Sequence, residues 1–145
     1  MAEPTFIEDR DELEALAPVA IAPIRYHVFV CRGKSCTAVG SAEVKAAFER
    51  QLTERGLLTG KAAKGKNPKG SIVLTECESV GFCAIGAAVM VYPDGVWYAQ
   101  VRAADVPEII ESHLINDCVV ERLALMRVPA EGSTAEAKTE ANWEV

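Results

Sequence analysis

A chain of 145 residues, half of them hydrophobic, is enough for one domain with a real core and too short for two of ordinary size. No apolar run approaches the ~18 residues of a membrane span, and the first 23 residues lack the basic start and apolar centre of a secretory signal, so a soluble, cytoplasmic protein is expected, with no membrane partner. The net charge of −6 belongs to the ends: residues 1–23 and the tail from Glu131 are acidic, the stretch between is slightly basic, and no basic stripe with interleaved aromatics recommends nucleic acid.

The acidic extension, residues 1–23, holds a short helical candidate from Asp9 to Ala17, ended by Pro18 and Pro23. A domain over 24–128 follows. Tyr26 to Cys31, YHVFVC, is β-branched, aromatic and nearly continuously apolar, as a central strand should be, with His27 read as structural. Arg32 to Gly40 reads as a loop. Ser41 is a good N-cap for a helix whose apolar stripe is Val44, Ala47, Phe48 and Leu52, and Gly56 stops it.

Residues 59–70, with four lysines, three glycines and a proline, read as a solvated connection; docking of an acidic partner is the sharper alternative. Ser71 to Glu76 is a second strand. Ala87 to Tyr92 and Val96 to Val101 are two more, joined as a hairpin by Pro93-Asp94-Gly95. Asp105 with Glu108 forms a D-x-x-E capping signature for a closing helix that buries Val106, Ile109, Ile110 and Leu114. His113 on it is read as surface or packing. Val119 to Val128 packs on the domain as a short helix or strand, and residues 129–145 form an acidic tail expected to be disordered, with Trp143 a lone aromatic in it. The order β-α-β-β-β-α, parallel across the helix and antiparallel in the hairpin, predicts an α/β sandwich of thioredoxin type.

The chemistry lies in the cysteines. Five in a chain expected in the cytosol argue for metal or redox use over structural disulfides. Cys31 and Cys36 follow the first strand; Cys77 and Cys83 sit in a glycine-containing loop between two β-like runs. Cys118 stands apart and reads as a small hydrophobe. Thiolates from two loops suit zinc, copper(I) or an iron–sulfur centre. Structural zinc favours C-x2-C knuckles and a thioredoxin dithiol needs C-x-x-C, whereas the spacings here are C-x4-C and C-x5-C. Four thiolates from two loops are what an iron–sulfur cluster requires. No nucleotide fingerprint, Ser/His/Asp constellation or carboxylate pair suggests an enzyme.

HVFVCRGKSC at 27–36, VGFC at 80–83, VMVYPDGVWYAQV at 89–101, ADVPEIIESHL at 104–114 and VVERL at 119–123 together resemble the thioredoxin-like [2Fe–2S] ferredoxins, the family that includes the Shethna-type protein I ferredoxins. The resemblance spans Arg25 to Leu123. It implies a one-electron carrier with a [2Fe–2S] cluster near the surface, a redox partner protein, and a homodimer assembled through the sheet. Cys31, Cys36 and Cys83 fall on the family's ligand positions. The fourth position departs: the family's C-x3-C would place a cysteine where Ser79 stands, and Ala87 replaces a frequent proline. Ligation by Cys77, ligation by the Ser79 oxygen, and loss of the cluster therefore stand open, with Cys77 favoured because thiolate is the softer donor. A cluster-free adaptor on the same scaffold and a cluster-delivery protein are the alternative functions.

Overall fold

The structure, a computed structural model, describes residues 6–16, 23–64, 67, 69–81 and 83–128, with the Lys61 and Cys83 side chains outside that description. The expected disorder of 129–145 and the role of Trp143 therefore lie outside the described residues.

The acidic extension contributes helix α1 (Arg10–Leu16), whose first turn is closed by the Asp9 carboxylate accepting the Asp11 N–H at 2.9 Å. It buries no residue. Strand β1 (Tyr26–Cys31) runs over the span the sequence predicts. The expected loop 32–40 instead contains a short helix, α2 (Lys34–Ala38), joined directly to α3 (Ser41–Glu54).

That joint overturns the reading of Ser41 as the cap. Gly40, at φ +97, is the N-cap residue, and its carbonyl takes the N–H groups of Glu43 and Val44. A side chain is poorly tolerated at that φ, so glycine makes the tight turn between two helices possible. Ser41 is fully buried, and its hydroxyl finds no partner among the described residues. The predicted stripe of α3 is the buried one: Val44, Ala47, Phe48 and Leu52. Full burial of Phe48 and Leu52 stabilises the fold by about 2–3 kcal/mol each.

The lysine-rich connection is shorter than expected, because Leu58–Thr59 pairs as a small edge strand, β2, and Lys61–Ala63 forms a 3-10 turn. Strand β3 (Ile72–Cys77) follows, then β4 (Val89–Tyr92) and β5 (Val96–Tyr98), the hairpin around Pro93-Asp94-Gly95. The chain continues through a 3-10 turn (Ala103–Asp105), an α-helical turn α4 (Val106–Glu108) and a π-helical stretch (Ile109–Ile115), and ends in β6 (Ala124–Arg127). Asp105 does not cap as a D-x-x-E box. Its carboxylate turns back to the Arg102 N–H at 3.0 Å and is bridged, with Glu108, by Arg122.

The six strands among the described residues form one sheet in the order β2-β3-β1-β4-β5-β6. β1 is parallel to β3 across α3 and antiparallel to β4, so the predicted core order β-α-β-β-β-α holds, with β2 and β6 added at the edges. Strand alternation sends Tyr26, Val28, Val30, Ile72, Leu74, Val89 and Val91 to the face covered by α3 and the closing helix, where the main core lies. The opposite face carries the register row Phe29, Met90, Trp97 and Met126, all half-buried. Among the described residues, no helix is long and apolar enough to cross a membrane.

Candidate metal centre

The four paired cysteines belong to one corner of the sheet. β1 and β3 end on Cys31 and Cys77, and the parallel register makes these two residues direct partners. Residues directly paired across two strands share a face. Both thiols therefore lie on the face away from the main core, at the carboxyl ends of adjacent strands.

Two backbone bonds hold this corner shut. The Arg32 N–H donates to the Cys77 carbonyl at 2.6 Å, and the Cys31 N–H donates to the Ala88 carbonyl at 3.0 Å. Arg32 also reaches Glu76 through its guanidinium at 2.7 Å. Helix α2 then brings Cys36 back over the corner. Cys31, Cys36 and Ala88, each fully buried, make a small apolar cluster separate from the main core, with Val80 and Ile85 packed on it.

Two glycines permit this closeness. A Cβ on Gly86 would come within 2.8 Å of the Cys36 sulfur, and one on Gly33 within 2.4 Å of the Glu78 carbonyl oxygen and 3.5 Å of the Cys31 sulfur. Gly86, three residues after Cys83, was a sequence signal left unused, and Gly33, two after Cys31, supplies room for this contact beyond the loop freedom its composition suggests.

Cys77 is half-buried, its sulfur 3.7 Å from the Val30 carbonyl. Burial pushes its thiol up, the neighbouring Cys31 adds to this, and the Ser79 backbone N–H turned toward the sulfur works the other way. An N–H aimed at sulfur is the kind of outer contact that tunes a thiolate ligand. The Ser79 hydroxyl accepts the Gly81 N–H at 2.9 Å inside the same loop. Cys83 opens the 3-10 turn Cys83–Ile85, between Val80 and Ile85, the two residues that pack on Cys31 and Cys36.

Among the described residues, no three Cys, His, Asp or Glu side chains converge to hold a metal; a four-thiol set draws on Cys83. The donor chemistry fits an iron–sulfur cluster. The thiols of Cys31 and Cys36 are enclosed by apolar side chains, both strand-end cysteines face one side, and among the described residues no carboxylate, the donor of magnesium or calcium sites, is buried.

The remaining candidates fall elsewhere. Cys118, read as a small hydrophobe, is exposed: its N–H closes the end of the π-helical stretch on the Ser112 carbonyl, and this turn leaves the side chain in solvent. His27 is structural, stacked on Phe29 at 4.0 Å with its Nε2 at 2.6 Å from the Thr75 hydroxyl, and burial lowers its pKa from the usual 6.5.

His113 is a packing residue with a polar role. Fully buried, it lies between the Tyr98 hydroxyl (2.7 Å to Nδ1) and the Asp94 carboxylate (2.7 Å to Nε2). All partners are used when Nε2 donates to Asp94 and Nδ1 accepts from Tyr98, whose oxygen accepts the Val120 N–H at 3.1 Å. The Tyr98 phenol, pushed up to about 12 chiefly by burial, remains protonated for that role. The chain Asp–His–hydroxyl has the form of an acid–base relay, but no substrate reaches a His with no exposure. Its spacing from Ile109, one helical turn earlier, was the available sequence signal.

The sequence model of the family described as thioredoxin-like [2Fe–2S] ferredoxin matches residues 20–114. A 2Fe–2S ferredoxin of Clostridium pasteurianum is 35% identical over 109 residues, covering 70% of this chain and 96% of the relative. One of Aquifex aeolicus is 39% identical over 111 residues, covering 70% and 89%. The solved structure of a thioredoxin-like [2Fe–2S] ferredoxin from Aquifex aeolicus superimposes with a TM-score of 0.59 at 33% identity, covering 75% of this chain and 97% of that one.

Proposed function

Because the chain belongs to the thioredoxin-like [2Fe–2S] ferredoxin family, and is accordingly a small electron carrier with a [2Fe–2S] cluster, we propose that Cys31, Cys36, Cys77 and Cys83 hold that cluster. The observation that carries the ligand set is the register pairing of Cys31 with Cys77, which puts two thiols side by side at the strand ends, under the loop leading to Cys83. When bound, the cluster takes up and releases one electron. The chain's own contribution is to enclose Cys31 and Cys36 in apolar side chains, to aim the Ser79 N–H at Cys77, and to leave Cys77 partly exposed as the side from which a redox partner protein approaches.

Cys77 is preferred to Ser79 as the fourth ligand for two reasons. Thiolate is the softer donor, and the Ser79 hydroxyl is engaged with the Gly81 N–H. Anaerobically purified protein should be brown, with equimolar iron and labile sulfide. Cys31→Ala should bleach it; Cys77→Ser should alter the visible and EPR spectra, and Ser79→Ala should not. The reverse result for the last pair would transfer the role to Ser79, and a colourless wild type would favour the cluster-free adaptor.

A homodimer is the second part of the reading. The half-buried register row Phe29, Met90, Trp97 and Met126, with Tyr92 60% exposed beside it, is the face we place against a second copy. Sedimentation at micromolar concentration tests it, and a monomer there would count against it. The reduced thiols of this site suit a cytoplasmic location. The protein carries electrons and transforms no substrate of its own.

A further inference from the structure

We propose that Trp97 is a positioning residue for the cysteine-bearing loop 78–85, holding it through the bond from its indole N–H to the Val80 carbonyl, 2.8 Å long. The inference rests on the reading of Cys77 and Cys83 as ligands only for its consequence at the cluster; the tether itself does not depend on it.

The loop leaves β3 after Cys77 and must return to β4 across the open face of the sheet. Its two ends are held by backbone bonds, the Arg32 N–H to the Cys77 carbonyl and the Gln100 N–H to the Ile85 carbonyl. Trp97 takes hold between them, from a strand 17 residues further on. The position of its donor is dictated by the sheet. β5 pairs Trp97 with Met90 on one side and Met126 on the other, and Met90 pairs in turn with Phe29. An indole in such a row has two torsions to fix and apolar neighbours on both sides, so it is a stiff strut.

What the strut holds matters for the site. The Val80 side chain packs against the buried group of Cys31, Cys36 and Ala88. Pinning the Val80 carbonyl to the sheet therefore presses its side chain over the two enclosed thiols. The same bond limits how far the segment between Cys77 and Cys83 can lift. The residue on the other side of the strand, Tyr98, is anchored in the core by His113, so β5 is fixed on both faces.

The test compares Trp97→Phe, which keeps an aromatic ring and loses the donor, with Trp97→His, which restores a ring N–H. In the as-isolated protein, amide exchange over 78–85 should be about fivefold faster in Trp97→Phe, the loss of one ordinary hydrogen bond, and partly recovered in Trp97→His. Exchange in β1 and β3 should stay at the wild-type rate, which a general loosening of the fold would not allow. Chelator-driven loss of visible absorbance should accelerate in parallel. Unchanged exchange over 78–85 in Trp97→Phe would overturn the proposal. Faster exchange with unchanged bleaching would support the tether and count against ligation from this loop, which separates the two readings.

Discussion

Replacing Gly33 by alanine should force the two cysteine loops apart. Gly33 has φ −61 and ψ 168, a conformation open to any residue, so backbone strain is not the issue. The obstacle is contact. The new Cβ would stand 2.4 Å from the Glu78 carbonyl oxygen, and the connection after β1 and the loop after β3 must separate before the distance reaches 3.0 Å, the closest that real Cβ atoms come. Neither side yields easily. One is backbone running into α2, and the other is the carbonyl that lies 3.7 Å from the Cys31 sulfur. Overpacking of this kind costs about 1–3 kcal/mol, and for a domain of this size that lowers the unfolding midpoint by about 5–15 °C. The assay is thermal unfolding by circular dichroism, read beside the rate at which a chelator removes the visible absorbance. Gly56→Ala is the control. Gly56 has φ +70 with nothing within 4 Å of its Cβ position, so alanine there should cost about 1 kcal/mol in backbone strain alone and leave bleaching at the wild-type rate. If Gly33→Ala unfolds and bleaches like the wild type, the close approach of the two loops is wrong.

Two further outcomes follow from buried polar contacts. His113→Ala should destabilise the fold by about 3 kcal/mol or more, since it opens a cavity and leaves the buried Tyr98 hydroxyl proton without its acceptor, whereas Tyr98→Phe should cost about 1–2 kcal/mol; equal denaturation midpoints for His113→Ala and wild type would refute the network. Burial lowers the pKa of His27 in the folded state, so the unfolded chain takes the proton first as pH falls below 6.5. The contribution of His27 is therefore complete above that value and is lost as pH drops through the folded pKa. Denaturant titrations between pH 7 and 5 should show a shallower loss of stability in His27→Gln than in wild type, and identical slopes would contradict the assignment.

Much of this protein was legible in the chain because it rests on local chemistry. A nearly continuous β-branched and aromatic run marked β1, Asp94-Gly95 between two β-rich runs marked the hairpin, and the spacing of Val44, Ala47, Phe48 and Leu52 marked the buried stripe of α3. The cysteines announced a soft centre by type and by their place at strand ends. Local rules failed where a contact joins distant segments. Ser41 has the composition of a cap, but the joint between α2 and α3 needs a left-handed residue, and Gly40 took the role. Cys118 is as apolar as the other cysteines, and only the turn after the π-helical stretch decides that it faces solvent. Alternation says which residues of a strand share a side. It does not say which strand lies beside it or in what register, and a slip of one residue would send Cys77 to the opposite face from Cys31. That register, the approach of Gly33 to Glu78, the reach of Trp97 to Val80 and the seating of His113 between Asp94 and Tyr98 are set by packing the whole sheet against its helices, which no window of neighbouring residues contains.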